Sequence, residues 1–563
     1  MNPEMSTEQS TGFSSRNWTS HPRPERYVGR QGDLRSVEEI APVFRHVFHE
    51  FRQFNEIQSL VMDDMLYTDK SLVVSAPTGS GKTAIFELAM VRLLMKLEDS
   101  RYEGDYRMIY IAPIKALCAE KFADWKGKFE PLGVKTAEVT GDTEMKDFWD
   151  LPDCNLILTT PEKWNSITRR WRQNVNFVRM IRLVMIDEVH ILNDQYRGPV
   201  LEAVVSRMRS IHRFVEGDGG ESAVVDPMRI IALSATAPNV ADLAAWVGEA
   251  NTTCFYNISE SRRPIKIDKH VLGYYCDPST SPFRFDMNLN YKLFEVICKY
   301  SSGRPSLVFC STRKATESAS KHLVEQHSLR LTPDQVSALQ VVANQLQNGD
   351  LKRRLLAGVG YHHAGLSIAD RQLIEDAFRA GRIPVLCCTS GLAMGVNLPA
   401  HLVIIKSTQQ KYERLATGSV PIESYLHEHL AEHLNSEIVL QTITDLASAM
   451  DWIRSTFLYV RALAAPARYG LPPNLDKAQI EKKLEELCLN ELNALEKYSL
   501  IVKNAKDQGD DSGMMVSATL YGRLMAQYCL NFRTVKLLRK NQRIPIFNFR
   551  SARRPKGELL QVR

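Results

Sequence analysis

The feature that most constrains the fold is an alternation of short apolar runs with longer helical stretches. Five β-type runs come first, namely LVVS at 72–75, MIYIA at 108–112, LILTT at 156–160, RLVMID at 182–187 and IIALSA at 230–235. Four more follow, namely SLVFCS at 306–311, VGYHH at 359–363, VLCCTS at 385–390 and LVIIKS at 402–407. Because parallel strands are joined by crossover helices, this pattern predicts two α/β domains in tandem, joined near residues 259–271.

The segments outside this alternation differ in composition. Residues 1–32 are rich in Ser, Thr, Pro and Arg, which predicts a disordered arm. Gly, Pro, Ser and Asp concentrate at 217–227, 273–286 and 506–513, where we predict loops. From Glu423 onward the apolar spacing becomes helical, and a second helical stretch covers about 475–540.

Composition narrows the class of protein. Hydrophobic residues make up 44% and charged residues 24%, which excludes a wholly disordered, collagenous or coiled-coil chain. The sequence has neither the ~18-residue apolar run of a membrane span nor the apolar core of a secretory signal at its N-terminus. Ten cysteines without a C-x-x-C pair favour reduced thiols in a soluble intracellular protein. The net charge of +6 permits a nucleic-acid partner without requiring one.

A candidate phosphate-binding loop follows the first apolar run. The string APTGSGKT at 76–83 fits a P-loop with alanine in place of the first glycine, between a strand-like run and a long apolar helix. Its small residues let backbone N–H groups face phosphate oxygens, while Lys82 reaches the β- and γ-phosphates and Thr83 supplies a ligand for Mg²⁺. The predicted nucleotide ligands in this loop are Ala76, Pro77, Thr78, Gly79, Ser80, Gly81, Lys82 and Thr83.

Polar residues end two of the later runs. Asp187 and Glu188 follow VMI, where one acid can hold Mg²⁺ and its neighbour can orient or deprotonate the attacking water. A solvated acidic loop is the alternative for a lone pair of acids, and the preceding P-loop favours the catalytic interpretation. Upstream, the amide of Gln58 can pair with an adenine edge, and an ordinary surface glutamine explains that residue equally well.

Taken together, the motifs resemble those of superfamily-two helicases of the Ski-like class. In family order they are APTGSGKT (76–83), APIKAL (112–117), TGD (140–142), TTPEKW (159–164), DEVH (187–190), SAT (234–236), LVFCSTRK (307–314), YHHAGL (361–366) and TSGLAMGVNLPA (389–400). The strings FNEIQS, RRPIKIDKHVLGY and HLNSEIVLQTITDLASAMDWIRSTFLYVRAL look like those of the Mer-type meiotic crossover helicases. The resemblance extends from about residue 34 to about residue 540.

This resemblance implies an α/β fold with two tandem RecA-like parallel-sheet motor domains, followed by a winged-helix domain and the start of a helical domain. The implied segments are a disordered arm (1–32), an ATP-binding domain (33–262), an incomplete C-terminal helicase domain (263–412), a winged-helix-like domain (413–472), the start of a helical ratchet domain (473–540) and a basic tail (541–563). The string RSARRPKG in that tail is either a nucleic-acid or nuclear-import patch or a solvated tail.

The resemblance also implies a function. It suggests a nuclear motor that uses ATP and Mg²⁺ to move 3′ to 5′ along one DNA strand. Its implied role is to unwind branched recombination intermediates in meiotic crossover formation and chromosome synapsis, with meiotic recombination proteins as partners and no membrane. The alternatives are a catalytically impaired, nucleotide-gated DNA-binding form and an RNA helicase of the same class.

By motif, Lys82, Asp187 and Glu188 carry hydrolysis, and Thr83 and Asp187 hold the metal. Gln58 reads adenine, Gly395 and Asn397 add nucleotide contacts, and Ser234 and Thr236 couple the nucleotide to domain closure. Contacts to the sugar–phosphate backbone of the bound strand, as a sequence-tolerant motor needs, are implied for Pro113, Lys115, Thr140, Gly141, Asp142, Thr160, Pro161, Glu162, Thr312, Arg313 and Thr389. His362 and His363 have no metal-ligand partners at suitable spacing and are interpreted as structural.

The chain departs from the family after LVIIKS. The family has a Q-x-x-G-R-x-G-R segment there, whose arginines reach the γ-phosphate. Between His401 and Glu423 this chain has one arginine, Arg414, without flanking glycines, and Arg382 belongs to an earlier connecting helix. We therefore predict that a few dozen residues are absent, including the last strand of the second motor domain, which leaves a sheet edge exposed and the arginine finger missing.

Overall fold

The computed structural model describes residues 34–98, 105–141, 153–218, 228–248, 253–263, 265–326, 329, 331–389, 392, 398–406, 420–504 and 515–540. The predicted disordered arm, the polar segment at 506–513, most of the loop at 217–227 and the basic tail lie outside these residues. The chain divides into two compact units. The first contains 1–160, 180–190 and 227–422, and the second contains 161–179, 191–226 and 423–563.

Helices and strands alternate along most of the described chain. The helices are α1 (Glu56–Tyr67), α2 (Thr83–Leu97), α3 (Lys115–Phe129), α4 (Pro161–Thr168), α5 (Val175–Arg179), α6 (Gly198–Asp218), α7 (Val240–Val247), α8 (Pro282–Asn288), α9 (Asn290–Tyr300), α10 (Arg313–Gln326), α11 (Pro333–Gln345), α12 (Gly349–Leu356), α13 (Ile368–Arg379), α14 (Leu430–Val439), α15 (Leu446–Arg454), α16 (Phe457–Ala464), α17 (Lys477–Lys497), α18 (Leu520–Gln527) and α19 (Phe532–Lys540). The strands are β1 (Ser71–Ser75), β2 (Arg107–Ile111), β3 (Thr136–Val139), β4 (Leu156–Thr159), β5 (Ile181–Ile186), β6 (Arg229–Ser234), β7 (Thr253–Asn257), β8 (Ser306–Cys310), β9 (Val359–His362), β10 (Val385–Thr389), β11 (Leu402–Ile405), β12 (Ile501–Asn504) and β13 (Met515–Ala518).

In the described residues, the larger sheet of the first unit joins seven parallel strands in the order β3-β4-β2-β5-β6-β1-β7. All five predicted runs of this region are strands, while β3 and β7 were missed. These two strands lie at the sheet edges, and their side chains are mostly half-exposed, so they lack the continuous apolar pattern of a buried strand. Helices α1, α2 and α3 pack with the central strands into one apolar core.

The register of this sheet determines where the site forms. Ser75 of β1 lies opposite Ser234 of β6, and Ile111 of β2 lies opposite Ile186 of β5. The carboxyl ends of these neighbouring strands therefore lie at one edge of the sheet, where ligands bind in open α/β sheets. The P-loop, Asp187 and the Ser-Ala-Thr motif all follow directly from those ends.

A second parallel sheet in the first unit has the order β11-β8-β10-β9, and its four strands coincide with the four predicted runs of the second series. Within the described residues, β11 is an edge strand. Its sequence, LVII, is apolar on both faces as in an internal strand, yet Val403 is 51% and Ile405 54% exposed. The open sheet edge expected after β11 stays a prediction, because residues 407–419 lie outside the described residues.

The loop predicted at 273–286 is wrong from Pro282 onward, because helix α8 begins there. The hydroxyl of Ser281 accepts a hydrogen bond from the Arg284 backbone N–H, and Pro282 occupies the first helical turn. Both features favour helix initiation, and the density of turn-forming residues upstream obscured them.

The second unit combines α4, α5 and α6 with the C-terminal elements. One apolar core joins α6 through Ala203 to α14, α15, α16 and α17, and β12 pairs with β13 as an antiparallel hairpin. Helix α17 buries Ile480, Leu484, Cys488 and Leu492, spaced four residues apart, in this same core. The core thus continues across residues 472–473, where the sequence-based domain boundary was drawn.

The ten cysteines are all free thiols that differ in burial. Six are buried, and Cys276, Cys298 and Cys529 are exposed. Among the described helices, none is long and apolar enough to cross a membrane.

Candidate nucleotide site and strand contacts

The P-loop leaves β1 through two glycines with left-handed backbone conformations. Gly79 has φ +78° and Gly81 has φ +75°, values that other residues adopt only with strain. A Cβ at Gly81 would lie 2.6 Å from Gln58 Nε2 and 2.9 Å from Asn55 Nδ2, whereas a Cβ at Gly79 would have nothing within 4 Å. Gly81 is therefore required both for its conformation and for close packing.

Lys82 folds back onto its own loop. Its Nζ donates a 2.9 Å hydrogen bond to the carbonyl oxygen of Ala76. Burial lowers the pKa of Lys82, while the carboxylates of Glu188 and Asp187 oppose that shift. A neutral carbonyl is a weaker acceptor for an ammonium than a charged phosphate oxygen, so this hydrogen bond can be exchanged for one to a ligand.

The side-chain amides of two residues at the start of α1 hydrogen-bond to the P-loop. Asn55 and Gln58 cap α1 reciprocally, since each side-chain oxygen accepts the other residue's backbone N–H at 2.9 Å. Their NH₂ groups donate to the P-loop, from Asn55 to Ser80 O at 3.0 Å and from Gln58 to Gly81 O at 2.9 Å. Gln58 is 2% exposed, so the surface-glutamine alternative is wrong, and its contact with adenine stays a prediction.

Asn55 was missed as a site residue, although its spacing gave a signal. An N-cap residue followed three positions later by Gln is a capping box, and here it lies shortly before a P-loop strand.

Asp187 lies half-buried where β5 ends, and both of its carboxylate oxygens accept hydrogen bonds. Oδ1 accepts the backbone N–H of Glu188 at 2.9 Å, and Oδ2 accepts the hydroxyl of Tyr110 at 2.8 Å. Burial and the neighbouring Glu188 raise the pKa of Asp187. Glu188 itself has φ +49°, a strained conformation for a residue with a side chain.

His190 connects this acidic motif to the Ser-Ala-Thr motif. Its Nδ1 accepts the backbone N–H of Ala235 at 3.4 Å and lies 3.2 Å from Glu188 Oε2. The His190 side chain is 43% exposed. Desolvation by neighbouring protein atoms and the nearby charge of Lys82 lower the pKa of His190 to about 4, so the imidazole is neutral at pH 7.

Ser75 fixes the Ser-Ala-Thr motif from the other side. Its hydroxyl donates to the carbonyl of Ala235 at 3.1 Å and accepts the N–H of Ala237 at 3.0 Å. The P-loop strand and the motif after β6 are thereby joined. Neither Ser75 nor His190 was predicted as a linking residue, because the sequence does not show which strands are neighbours.

Three buried polar atoms of the P-loop, the acidic motif and the Ser-Ala-Thr motif have no hydrogen-bond partner within the part of the chain that the structure describes: Ser80 Oγ, Ser234 Oγ and Glu188 Oε2. Buried polar groups are nearly always paired, so these atoms indicate that a polar ligand supplies the missing partners. The hydroxyl of Thr83 and the carboxylate of Asp187 are oxygen donors of the kind that Mg²⁺ prefers. The residues fit a nucleotide bound with Mg²⁺.

The structure brings together some of the predicted strand contacts of the first domain. Lys115 begins α3, and a Cβ at Gly141 would lie 3.2 Å from its Nζ, so Lys115 and the Thr140–Gly141 pair are neighbours. Pro113 lies between β2 and α3, and Thr160 directly follows β4. Asp142 lies outside the described residues.

Pro161 and Glu162 begin α4 in the second unit. The Glu162 carboxylate is held by the Arg197 guanidinium, with Nε to Oε1 at 2.7 Å and Nη2 to Oε2 at 3.2 Å. This two-point pair orients Glu162 and neutralises its charge. A contact between Glu162 and a phosphate-bearing strand stays a prediction.

In the second sheet, Thr312 caps α10, because its Oγ1 accepts the N–H of Ala315 at 3.1 Å, and Arg313 is the first residue of that helix. Thr389 ends β10, whereas Gly395 and Asn397 lie outside the described residues. His362 and His363 are buried and lie 2.8 Å from Glu375 and 2.9 Å from Glu317, respectively. These pairs support the interpretation of both histidines as structural.

Comparison with protein families gives three matches along the chain. A DEAD/DEAH box helicase model matches residues 55–243, a helicase conserved C-terminal domain matches 289–428, and a winged helix-turn-helix domain matches 423–505. Together with the two parallel sheets, these matches confirm the predicted fold class of two tandem RecA-like domains followed by a winged-helix domain.

Several individual proteins are similar over most of the chain. The probable ATP-dependent DNA helicase HFM1 of Mus musculus is 45% identical over 90% of this chain and 37% of its own length. The ATP-dependent DNA helicase homolog MER3 of Arabidopsis thaliana is 35% identical over 90% of this chain and 48% of its own length. MER3 of Saccharomyces cerevisiae is 33% identical over 88% and 42%, respectively. The chain thus spans less than half the length of each of these relatives.

Proposed function

We propose that the chain is a Mer-type helicase of the Ski-like class and an ATP-dependent DNA helicase, on its matches to the helicase family models and its similarity to HFM1 and MER3. The observation that carries this proposal is the convergence of the P-loop, Asp187–Glu188 and Ser234 at the carboxyl ends of neighbouring strands, around unpaired buried oxygens. The finer proposal is 3′-to-5′ movement on recombination intermediates during meiotic crossover formation and synapsis, in the nucleus and with meiotic recombination proteins. The resemblance to Mer-type helicases supports it.

In the proposed mechanism, the chain supplies binding, orientation and a proton acceptor. Lys82 exchanges the carbonyl of Ala76 for the β- and γ-phosphates of ATP, which as charged acceptors bind the ammonium more strongly. Thr83 and Asp187 would hold Mg²⁺, which would supply charge neutralisation at the phosphates of ATP. Glu188, whose Oε2 has no hydrogen-bond partner within the described residues, orients the attacking water and accepts its proton.

Coupling to the rest of the motor follows from His190 and Ser75. His190 joins the acidic motif to the Ala235 N–H, and Ser75 joins the P-loop strand to the same motif. Loss of the γ-phosphate would remove a partner of Lys82, and these hydrogen bonds would carry the resulting shift to Ser234 and its neighbours. In GTPases, contacts to the γ-phosphate likewise order the switch segments until hydrolysis releases them.

A specific observation favours a second candidate function, a nucleotide-gated DNA-binding protein with impaired hydrolysis. Within the described residues, β11 lies at the end of the second sheet and pairs with β8 alone, and the family's next strand and arginines would follow it. Arg414, the one arginine in that interval, lies outside the described residues. Closure on ATP then lacks its main stabilising interaction, since an arginine finger raises the rate of hydrolysis by a factor on the order of 10³–10⁵. This chain would bind ATP and single-stranded DNA with little stimulation of hydrolysis.

One experiment separates these functions. ATPase rates are measured with and without single-stranded DNA or RNA at one salt concentration, for this chain and for one with a Q-x-x-G-R-x-G-R segment restored after Ser407. Strong DNA stimulation of the unrestored chain supports the helicase, whereas stimulation only after restoration supports the impaired form. Greater stimulation by RNA overturns the DNA assignment. Lys82→Ala is the control, and unchanged hydrolysis in that variant would overturn the P-loop assignment.

A further inference from the structure

Tyr110 contacts the acidic motif although it belongs to none of the helicase motifs. It lies near the end of β2, opposite Met185 of the neighbouring β5, and is fully buried. Its hydroxyl donates a 2.8 Å hydrogen bond to Asp187 Oδ2. Within the described residues, this is the side-chain hydrogen bond that reaches the Asp187 carboxylate, since Oδ1 accepts a backbone N–H.

The environment of Asp187 makes this donor important. Its two carboxylate oxygens have different partners, because Oδ1 accepts the Glu188 backbone N–H and Oδ2 accepts the hydroxyl of Tyr110. Without the hydroxyl, Oδ2 would lose its one hydrogen bond within the described residues, and the carboxylate would be free to rotate about its Cβ–Cγ bond.

The tyrosine ring is held by its neighbours rather than by a ligand. It packs edge-on against Trp125 at a centroid distance of 4.9 Å and against Phe86 at 5.6 Å. Trp125 is anchored in turn, because its Nε1 donates to Glu87 Oε1 at 3.0 Å. Phe86 and Glu87 belong to α2, the helix that the P-loop opens, so the direction of the hydroxyl is set by the same helix that positions Lys82 and Thr83.

We propose that Tyr110 is a positioning residue that holds the Asp187 carboxylate in one orientation before the metal–nucleotide complex binds. This inference rests on the proposed function, because it requires Asp187 to hold Mg²⁺ together with ATP. With Oδ2 fixed by Tyr110, the carboxylate does not lose rotational freedom when it coordinates the metal. Hydrogen bonds to a coordinating carboxylate commonly contribute 10- to 100-fold in metal affinity.

The chain offers a matched control. Tyr256 on β7 donates a 2.6 Å hydrogen bond to Asp64 Oδ2 on α1, so it repeats the tyrosine–aspartate pair outside the nucleotide motifs. Replacing either tyrosine by phenylalanine removes one hydroxyl and keeps the ring. Tyr256 is half-buried whereas Tyr110 is fully buried, so Tyr256→Phe controls for the loss of a tyrosine–aspartate hydrogen bond away from the metal site.

The test uses the whole chain and a fluorescent ATP analogue titrated with Mg²⁺. We expect Tyr110→Phe to raise the Mg²⁺ concentration for half-maximal binding about tenfold, to leave binding in EDTA unchanged and to remain folded. Tyr256→Phe should match the wild type in both binding measurements. In an Asp187→Asn background, where the carboxylate charge is already gone, Tyr110→Phe should add no further shift.

Several results would overturn the proposal. The first two are a Mg²⁺ midpoint for Tyr110→Phe within twofold of the wild type and an equal shift of the midpoint in Tyr256→Phe. The next two are an equal loss of nucleotide binding in EDTA and an undiminished midpoint shift in the Asp187→Asn background. The last is a Tyr110→Phe protein that unfolds at the assay temperature. The last result would assign Tyr110 a purely structural role. If the wild type itself shows no Mg²⁺-dependent binding, the proposed function fails and this inference fails with it. Mg²⁺-dependent binding that Tyr110→Phe does not alter refutes the inference alone.

Discussion

Replacing Gly81 by alanine should destabilise the first unit by about 3 kcal/mol, whereas the same change at Gly79 should cost about 1 kcal/mol. Both glycines have left-handed backbone conformations, with φ +75° and +78°, so strain alone affects the two positions equally. For an alanine this strain is worth about 1 kcal/mol. Gly79 is therefore a control for conformation without contact.

The difference comes from the two amides beneath the loop. A Cβ at Gly81 would lie 2.6 Å from Gln58 Nε2 and 2.9 Å from Asn55 Nδ2, while at Gly79 the space is open. Both amides are fixed by the α1 cap, so they can move away only by breaking their hydrogen bonds to Gly81 O and Ser80 O, of 2.9 and 3.0 Å. Each lost bond costs about 1 kcal/mol.

Urea unfolding of Gly79→Ala and Gly81→Ala gives the free energy of unfolding of each variant, and the dependence of that free energy on urea concentration is compared between them. A Gly81→Ala/Gln58→Ala double variant relieves the closer contact, so its loss should be smaller than the sum of the two single losses. Equal losses at Gly79 and Gly81, or strict additivity in the double variant, would refute the reasoning and show that the amides do not hold the loop.

Three further predictions follow from single residues. Glu188→Gln should bind ATP normally but hydrolyse it about 10²- to 10⁴-fold more slowly, since an amide cannot accept the proton; equal losses of binding and turnover would make Glu188 structural. Glu437→Gln should lower the free energy of unfolding by about 3 kcal/mol, because Arg207, whose Nε lies 2.8 Å from Glu437 Oε1, would be a buried charge without a counterion. The double variant Arg207→Met/Glu437→Met should recover most of that loss in urea unfolding. Burial raises the pKa of Glu202 from 4.5 to about 7. The stability that its protonated form provides should therefore fall by about 3 kcal/mol as pH rises from 4.5 to 7. A Glu202→Gln variant whose free energy of unfolding has the same pH dependence would contradict this.

Some of the fold could be predicted because it depends on local pattern. The nine apolar runs became strands because an internal parallel strand is buried on both faces and needs continuous apolar sequence. The edge strands β3 and β7 are not buried on both faces, so they need no continuous apolar sequence and were not predicted. The P-loop was recognised because its glycines, its lysine and the strand before it are consecutive in sequence, so no tertiary information was needed to group them.

The same reasoning shows why other parts of the site could not be predicted. The contact of Asn55 with Ser80 spans 25 positions and that of Tyr110 with Asp187 spans 77. Sequence specified each residue's chemistry but not its partner, because the partner depends on strand order and on how helices pack across the sheet. Tyr110 in particular is an ordinary apolar strand residue by pattern, and only its burial beside β5 turns its hydroxyl toward the carboxylate.

The sequence by itself determined the order of the motifs, the two parallel sheets and the absence of the glycine–arginine segment after Ile405, since all of these are written in consecutive residues. Tertiary structure alone decided that α4 and α6, although they interrupt the first motor sequence, belong to the unit that contains the C-terminal helices. The reason is the shared core, since Ala203 of α6 packs in one apolar cluster with α14, α15, α16 and α17. Arg207 of α6 is fully buried beside Glu437, and separating the two would leave each charge buried without its partner.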